Sequence, residues 1–375
     1  MQFSYWEKST WLQDTNLLII GSGIVGINAA LSYRAKQPKA KITILERGTL
    51  PSGASTKNAG FACFGSVTEL LDDLKHHTEQ EVLELLRLRW QGLQKLRTLL
   101  GDQIIDYRPT GSYELFKEQA ALEAAVAQKN FLNELVLEAI DQKDTFLVNS
   151  DSRKKFGYAG FLDTTVFNQH EGQLHTGKMM NGLLKLAQSQ NIQILNGCEV
   201  VEITISESPA ALLTNGQQIT ADKILIATNG FASQLLPEIQ VTPSRNQVMI
   251  TDPIEGLQLD GCFHFDKGYT YFRNVGNRVL LGGSRNIAFE QETTDSFGLT
   301  SDIQDHLETM LRENILPGVP FNIAHRWSGI LGVGNSKQPI LKRLTDHVVI
   351  AVRLGGMGIA IGSLIGERGA ELLLD

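Results

Sequence analysis

The sequence predicts an α/β fold in two parts, one built on a parallel sheet and one on an antiparallel sheet. Three observations predict it. A strand, a glycine turn, a helix and a second strand follow one another before residue 46. Short strands separated by turn residues crowd the stretch from Ile192 to Gly282. A last apolar strand, Val348–Val352 ("VVIAV"), runs through a glycine-rich stretch into a C-terminal helix. Parallel-sheet signals therefore stand at both ends and in the middle, so one domain is assembled from discontinuous segments.

The elements follow in order. Thr15–Ile20 ("TNLLII") is a short apolar run that reads as a buried strand. Gly21–Gly26 is the turn, and Ile24–Gln37 is a helix with Pro38 just beyond it. Lys41–Leu45 ("KITIL") is the next strand, which completes a βαβ unit with a right-handed crossover. Ser66–Leu100 repeats leucines at helical spacing and makes one or two amphipathic helices. Gln119–Ile140 and His175–Gln190 are helices, and Ser301–Asn314 is another. Ile192–Leu195, Glu199–Ile205, Ala211–Thr214 and Lys223–Ala227 are strands. Gln247–Thr251, Tyr269–Arg273 and Arg278–Gly282 read as antiparallel strands joined by turns such as "NVGN".

A chain of 375 residues suggests about two domains on the usual range of roughly 100–200 residues each. A net charge of −7 argues against a general nucleic-acid binder, which needs a basic surface. Cys63, Cys198 and Cys262 form no CxxC pair, which fits a reducing compartment. His76 and His77 are adjacent, so they share no helix face and read as a solvated surface, not a metal site. Residues 16–31 are apolar, but three glycines interrupt them, and the acidic flank before them is unlike a signal peptide. The protein is expected to be cytoplasmic, with no integral membrane segment.

"GSGIVG" (Gly21, Gly23, Gly26) is the G-x-G-x-x-G pattern, and Ile24 and Val25 open the helix inside it. Gly21 permits the tight turn, Gly23 lets backbone approach a pyrophosphate, and Gly26 lets helix pack on strand. The helix N-terminus offers free N–H groups to the phosphates. Glu46 ends the next strand, 20 residues after Gly26, where a carboxylate accepts from a ribose diol. In NAD enzymes more strand–helix alternation usually follows. Here "LERGTLPSGASTKNAGF" follows instead.

Here the sequence resembles the glycine and D-amino acid oxidase family of FAD-dependent amine oxidoreductases. The residues that match its pattern are Glu46, Arg47, Gly53, Ser55, Asn58 and Gly60, with Ala54 and Ala59 between them. "CEVVEI" resembles the strand that meets the adenine, through Val200. "ILIATNGF" resembles the family's turn near the cofactor, which carries Thr228, Asn229 and Gly230. "RLGGMGIAIG" resembles the C-terminal flavin loop, with Gly355, Gly356, Met357, Gly358 and Ile359. A helix that starts there can stabilise the negative charge of a reduced flavin. The resemblance implies non-covalent FAD, because no cysteine follows Cys262 in the third of the chain where other members attach it.

The resemblance also implies the domain plan and the chemistry. Residues 1–65, 145–230 and 326–375 would form a Rossmann-like FAD-binding domain. Residues 66–144 and 231–325 would form an α+β substrate domain on an antiparallel sheet, with the flavin ring between the two. The implied reaction is hydride transfer from the carbon beside an amine nitrogen to flavin N5, giving an imine that water hydrolyses. Tyr271 matches the substrate-facing tyrosine of the D-amino acid oxidases, and Arg273 shares its strand face. Arg273 could clamp a carboxylate, or pair with a structural acid or face solvent. Leu331 stands where many members carry the carboxylate-binding arginine, so Arg353 and Arg326 become candidates. Leu280 stands where oxygen-reducing members carry a lysine, which leaves oxygen and another carrier both open as acceptor. Cys63, near the expected ring, is a reactive thiol or a small buried hydrophobe. Two rival readings keep the fold: a 2-hydroxy acid dehydrogenase, for which His264 and His325 are the candidate bases, and a non-catalytic flavin-binding protein.

Overall fold

A computed structural model describes residues 3–374. The first sheet runs in spatial order Ile340–Thr345, Val348–Val352, Gln218–Ile226, Thr15–Ile20, Ile42–Glu46 and Gln193–Asn196. Its four neighbouring pairs from Val348 to Asn196 are parallel, and Ile340–Thr345 is antiparallel to Val348–Val352. Side chains alternate between faces along each strand. Leu17, Ile19, Leu225 and Ala351 pack under helices, whereas Leu18, Ile20, Ile224 and Ile350 pack under the strands around Ala211 and Ile219. Both faces are buried, which is why these strands read as unbroken apolar runs.

The second sheet has eight strands: Ile323–Val333, Thr242–Thr251, Arg278–Gly283, Thr270–Val275, Cys262–Phe265, Ser112–Glu114, Thr165–Asn168 and Phe146–Asn149. One face carries Met249, Phe263, Phe272 and Leu281 against Ile303 and Leu307 of the Ser301–Met310 helix. The opposite face, with Val248 and Leu280, turns toward Ala59.

This arrangement moves two expected boundaries. Residues 326–333 belong to a strand that pairs along Thr242–Thr251, from Thr242–Val333 to Thr251–Ile323, so they extend the second sheet. Residues 146–149 and 165–168 pair with each other, and the latter pair with Ser112–Glu114, again in the second sheet. Both segments pair into the second sheet and not into the unit that the resemblance implied for them, because strand pairing decides the sheet. The expected helix Ser301–Asn314 ends as an α-helix at Met310 and widens into a π turn over Leu311–Ile315.

The C-terminal helix, Gly358–Leu374, is clasped between the Ile24–Lys36 and Glu79–Leu100 helices. A Cβ at Gly366 would overlap the Val25 carbonyl, and one at Gly92 would overlap the Ala360 carbonyl. Ser363 donates its hydroxyl to the Gly92 carbonyl across the same contact. Backbone meets backbone at these points, so the helix has no freedom to shift along its axis. Gly92→Ala is expected to destabilise the fold by about 1–3 kcal/mol, the usual cost of overpacking. Chemical denaturation reads this directly, and an unchanged midpoint would show that the clasp is slack.

Candidate cofactor and substrate site

A cavity of about 440 Å³ opens at the carboxyl ends of the parallel strands and runs between the two sheets. Gly21 turns there with φ 106°, under the Ala227 carbonyl, and donates its N–H to Leu45 at 2.8 Å. Gly26 packs on the Gly21 carbonyl, so it shapes the turn without lining the cavity. The Ile24–Lys36 helix starts at Gly23 with no side-chain cap. Its Ile24 N–H is taken by Ser55 Oγ at 3.0 Å.

Glu46 is buried at the edge of the cavity. One carboxylate oxygen accepts from the Ser22 amide and hydroxyl, the latter at 2.7 Å. The other accepts from the Gly48 amide at 3.0 Å and the Ser52 hydroxyl at 2.8 Å. Arg47 lies over the Phe231 ring, 3.6 Å from its centroid.

Gly53, Ala54 and Ser55, and then Lys57 to Gly60, line the cavity, while Thr56 turns back and donates its hydroxyl to the Pro51 carbonyl. Asn58 ties this segment together. Its Nδ2 donates to the carbonyls of Ala54 and Ser55, and its Oδ1 accepts from the Gly60 amide and, at 2.7 Å, the Thr176 hydroxyl. Trp327 Nε1 donates to the Lys57 carbonyl at 2.9 Å, which fastens the loop to the second sheet. Lys57 itself extends toward the Phe297 ring. Opposite stands the C-terminal loop, where Gly355, Gly356, Met357, Gly358 and Ile359 all line the cavity. Asn229 Oδ1 accepts from the Leu354 amide at 3.1 Å, which joins that loop to the turn at Thr228. Val200, Thr228 and Asn229 also line it, whereas Gly230 packs beneath the Leu331 carbonyl.

These residues fit an extended dinucleotide. The fingerprint wall is the start of a helix whose own N-cap, Gly23, offers no side chain and where only the Ser55 hydroxyl takes an amide, and Thr228 Oγ1 is buried there without a partner among the described residues. FAD bound here would have its ribose beside Glu46, its phosphates at the Gly21–Gly26 turn, and its ring between the Asn58–Gly60 wall and the Gly358 helix end.

On the second-sheet side the structure corrects the substrate assignment. Tyr271 lines the cavity, but Arg273 and Arg353 do not. Arg273 is on the expected strand face, yet the Ala59–Gly60 backbone lies over it and takes its guanidinium. Arg353 has φ 64° and turns outward, donating to the carbonyls of Gln338 and Gln240. Arg326 pairs with Glu308. His264 is 8% exposed and lines the cavity, whereas His325 is exposed and stacks on Trp327. Cys63 also lines it, beside Cys262 and Glu171, and burial pushes its thiol well above the ordinary range.

Arg285 is the residue that sequence reading missed. Ser284 adopts φ 59° at the end of its strand and turns the chain back. Arg285 then lies half-buried against the Tyr269 and Phe289 rings, at 5.3 and 5.2 Å, on the cavity wall. No carboxylate among the described residues pairs with it. Only the "GGS" before it marks a turn in the sequence, and that does not say where the next side chain lands.

A parallel sheet whose carboxyl edge meets a glycine turn, a helix start and a second glycine loop defines a dinucleotide-binding protein. The chain matches the family model described as DAO, FAD dependent oxidoreductase, over residues 16–372, and it belongs to that family. It is therefore an enzyme, an oxidoreductase whose cofactor is FAD. A probable oxidoreductase OrdL of Rhizobium meliloti is 25% identical over 96% of this chain and 83% of that protein. The gamma-glutamylputrescine oxidoreductase of Escherichia coli is 22% identical over the same shares, 96% and 83%. The crystal structure of glycine oxidase from Geobacillus kaustophilus superposes with a TM-score of 0.75 at 19% identity, covering 96% of this chain and 95% of that one.

Asn58→Ala removes the bonds that flatten the loop and is expected to weaken FAD binding about ten-fold or more, at roughly 1–3 kcal/mol for the lost pairings. Ser55→Ala, at the helix start, is expected to weaken it by less. Titration of apoprotein with FAD measures both, and wild-type affinity in the two variants would remove the loop from the cofactor site.

Proposed function

We propose that this chain oxidises the C–N bond of a small amino acid or other amine. FAD, when bound, would supply a hydride acceptor for the carbon beside nitrogen, and the substrate would leave as an imine that water hydrolyses. The chemistry of hydride acceptance belongs to the cofactor. The residues of this chain have to orient the substrate, favour its neutral amine and limit water. The relatives named for a glutamylated polyamine and for glycine support an amine as the reacting group. Arg285, Tyr271 and Asn246 carry the rest. Asn246 Nδ2 donates to Tyr271 Oη at 2.9 Å, so the tyrosine hydroxyl is left to donate its own proton into the cavity. Burial raises the Tyr271 pKa, which keeps that proton in place. A hydroxyl donor and an unpaired guanidinium on one wall suit a carboxylate. Tyr271 and Arg285 thus replace the trio of Tyr271, Arg273 and Arg353 as the anchor.

The electron acceptor is oxygen or another carrier, and Leu280, buried against Ala59 and Val248, puts an apolar side chain where oxygen-reducing members carry a lysine. The cytoplasm is the proposed location, consistent with the three free cysteines. One observation favours a second reading, a 2-hydroxy acid as substrate: His264 lines the cavity and its buried Nδ1 has no partner among the described residues. Such a histidine could take the hydroxyl proton.

Anaerobic mixing of the purified holoprotein with amino acids, N-methyl amino acids, polyamines and 2-hydroxy acids separates the readings through loss of flavin colour. Amino compounds are expected to bleach it. Bleaching by hydroxy acids alone would favour the second reading, and bleaching by none would leave a binding protein. Arg285→Leu is expected to raise KM for carboxylate-bearing substrates about ten- to hundred-fold, the equivalent of losing a charged hydrogen bond worth roughly 1.5–3 kcal/mol. Amines without a carboxylate should be unaffected, and an unchanged KM for both classes would refute the anchor.

A further inference from the structure

Three arginines are buried in this fold: Arg89, Arg245 and Arg273, exposed by 2%, 9% and 6%. Arg89 pairs with Glu69, and Arg245 pairs with Glu292 through two nitrogens. Arg273 has no carboxylate partner among the described residues. Its Nε donates to the Ala59 carbonyl, Nη2 to the Leu174 carbonyl at 3.0 Å, and Nη1 to Gln173 Oε1 and, at 3.5 Å, to the Asn274 carbonyl. Every acceptor is neutral. A guanidinium stays charged in proteins, so a full positive charge is fixed here by dipoles alone. Leaving a buried cation without a counter-ion is costly, and the other two sites avoid it.

The position of this charge is informative. A Cβ on Gly60 would lie 2.6 Å from Arg273 Nη2, so only the thickness of the Ala59–Gly60 backbone separates the cation from the cavity. We propose that Arg273 is a positioning residue of electrostatic kind: it supplies the missing counter-charge to the flavin across that backbone, and so raises the flavin's reduction potential. The proposal rests on the FAD ring lying against the Asn58–Gly60 wall. A hydride accepted by FAD leaves one negative charge on the ring, whereas the oxidised ring is neutral. A fixed cation nearby therefore favours the reduced form. The low-dielectric surroundings strengthen this effect, because little solvent lies between to screen it. The same side chain braces the loop, but bracing by itself needs no charge, and an ion pair would serve it better.

The test is the two-electron midpoint potential of the holoprotein, measured against reference dyes. Arg273→Gln removes the charge and is expected to lower the potential by at least about 30 mV, ten-fold in the two-electron equilibrium. Arg273→Lys keeps the charge and should stay closer to wild type than Arg273→Gln. Gln173→Glu keeps the arginine and gives Nη1 a carboxylate to meet, although its second oxygen must then face Asn274 Oδ1. It should lower the potential as well. A pure brace would leave the potential unchanged in Gln173→Glu, and that result, in protein with full flavin content, would overturn the proposal. Should Arg273→Gln fail to take up FAD, Gln173→Glu decides alone. Purified wild-type protein that neither carries nor binds FAD would instead overturn the cofactor site itself.

Discussion

The Glu46 carboxylate is the point on which the cofactor side of the molecule depends. A buried carboxylate must have its lone pairs satisfied, and here the donors come from both sides of the site. Ser22 brings the glycine turn and Ser52 brings the loop after the second strand. One residue therefore sets the distance between the first strand's end and the start of the cofactor wall. The rest of the wall is placed in relay: Asn58 closes the loop on itself, and Trp327 secures it to the second sheet. The helix clasp through Gly92 and Gly366 does the same for the opposite wall. Side-chain hydrogen bonds fix the first wall and backbone contacts fix the second, so both are held where a flat ligand needs precision.

The legibility of this molecule in its sequence follows the range of the interactions. The βαβ unit and its fingerprint were readable because the tight turn is local: Gly21 takes a positive φ and Gly26 packs on the Gly21 carbonyl, although Gly21 and Gly23 also meet Ala227 and Ser55 from distant segments. The apolar runs Thr15–Ile20 and Val348–Val352 were readable because both faces are buried. The strand Ile323–Val333 was not, since its exposed and half-buried positions follow no strict alternation and its glycines mimic a loop. Its pairing with Thr242–Thr251 is a tertiary fact.

The site shows the same division. Strand periodicity correctly put Arg273 and Tyr271 on one face. It could not say that the Ala59–Gly60 backbone would be laid over one of them and leave the other open to the cavity. Arg285 was hidden for the complementary reason: a left-handed Ser284 redirects a chain that would otherwise have carried it away from the cavity. Arginine by itself carries little positional information, and its long stem lets it serve a wall, a strand edge or a ligand.

The order in which the first sheet is completed has a consequence for biosynthesis. Gln218–Ile226 lies between Thr15–Ile20 and Val348–Val352, so one flank of this central strand is bare until the last strand is made. The glycine loop and helix that follow that strand form a whole wall of the cofactor cavity. A nascent chain lacking residues 340–374 therefore offers the fingerprint half of the site without its opposing half. The cofactor cavity therefore has both its walls only once residues 340–374 have joined the sheet.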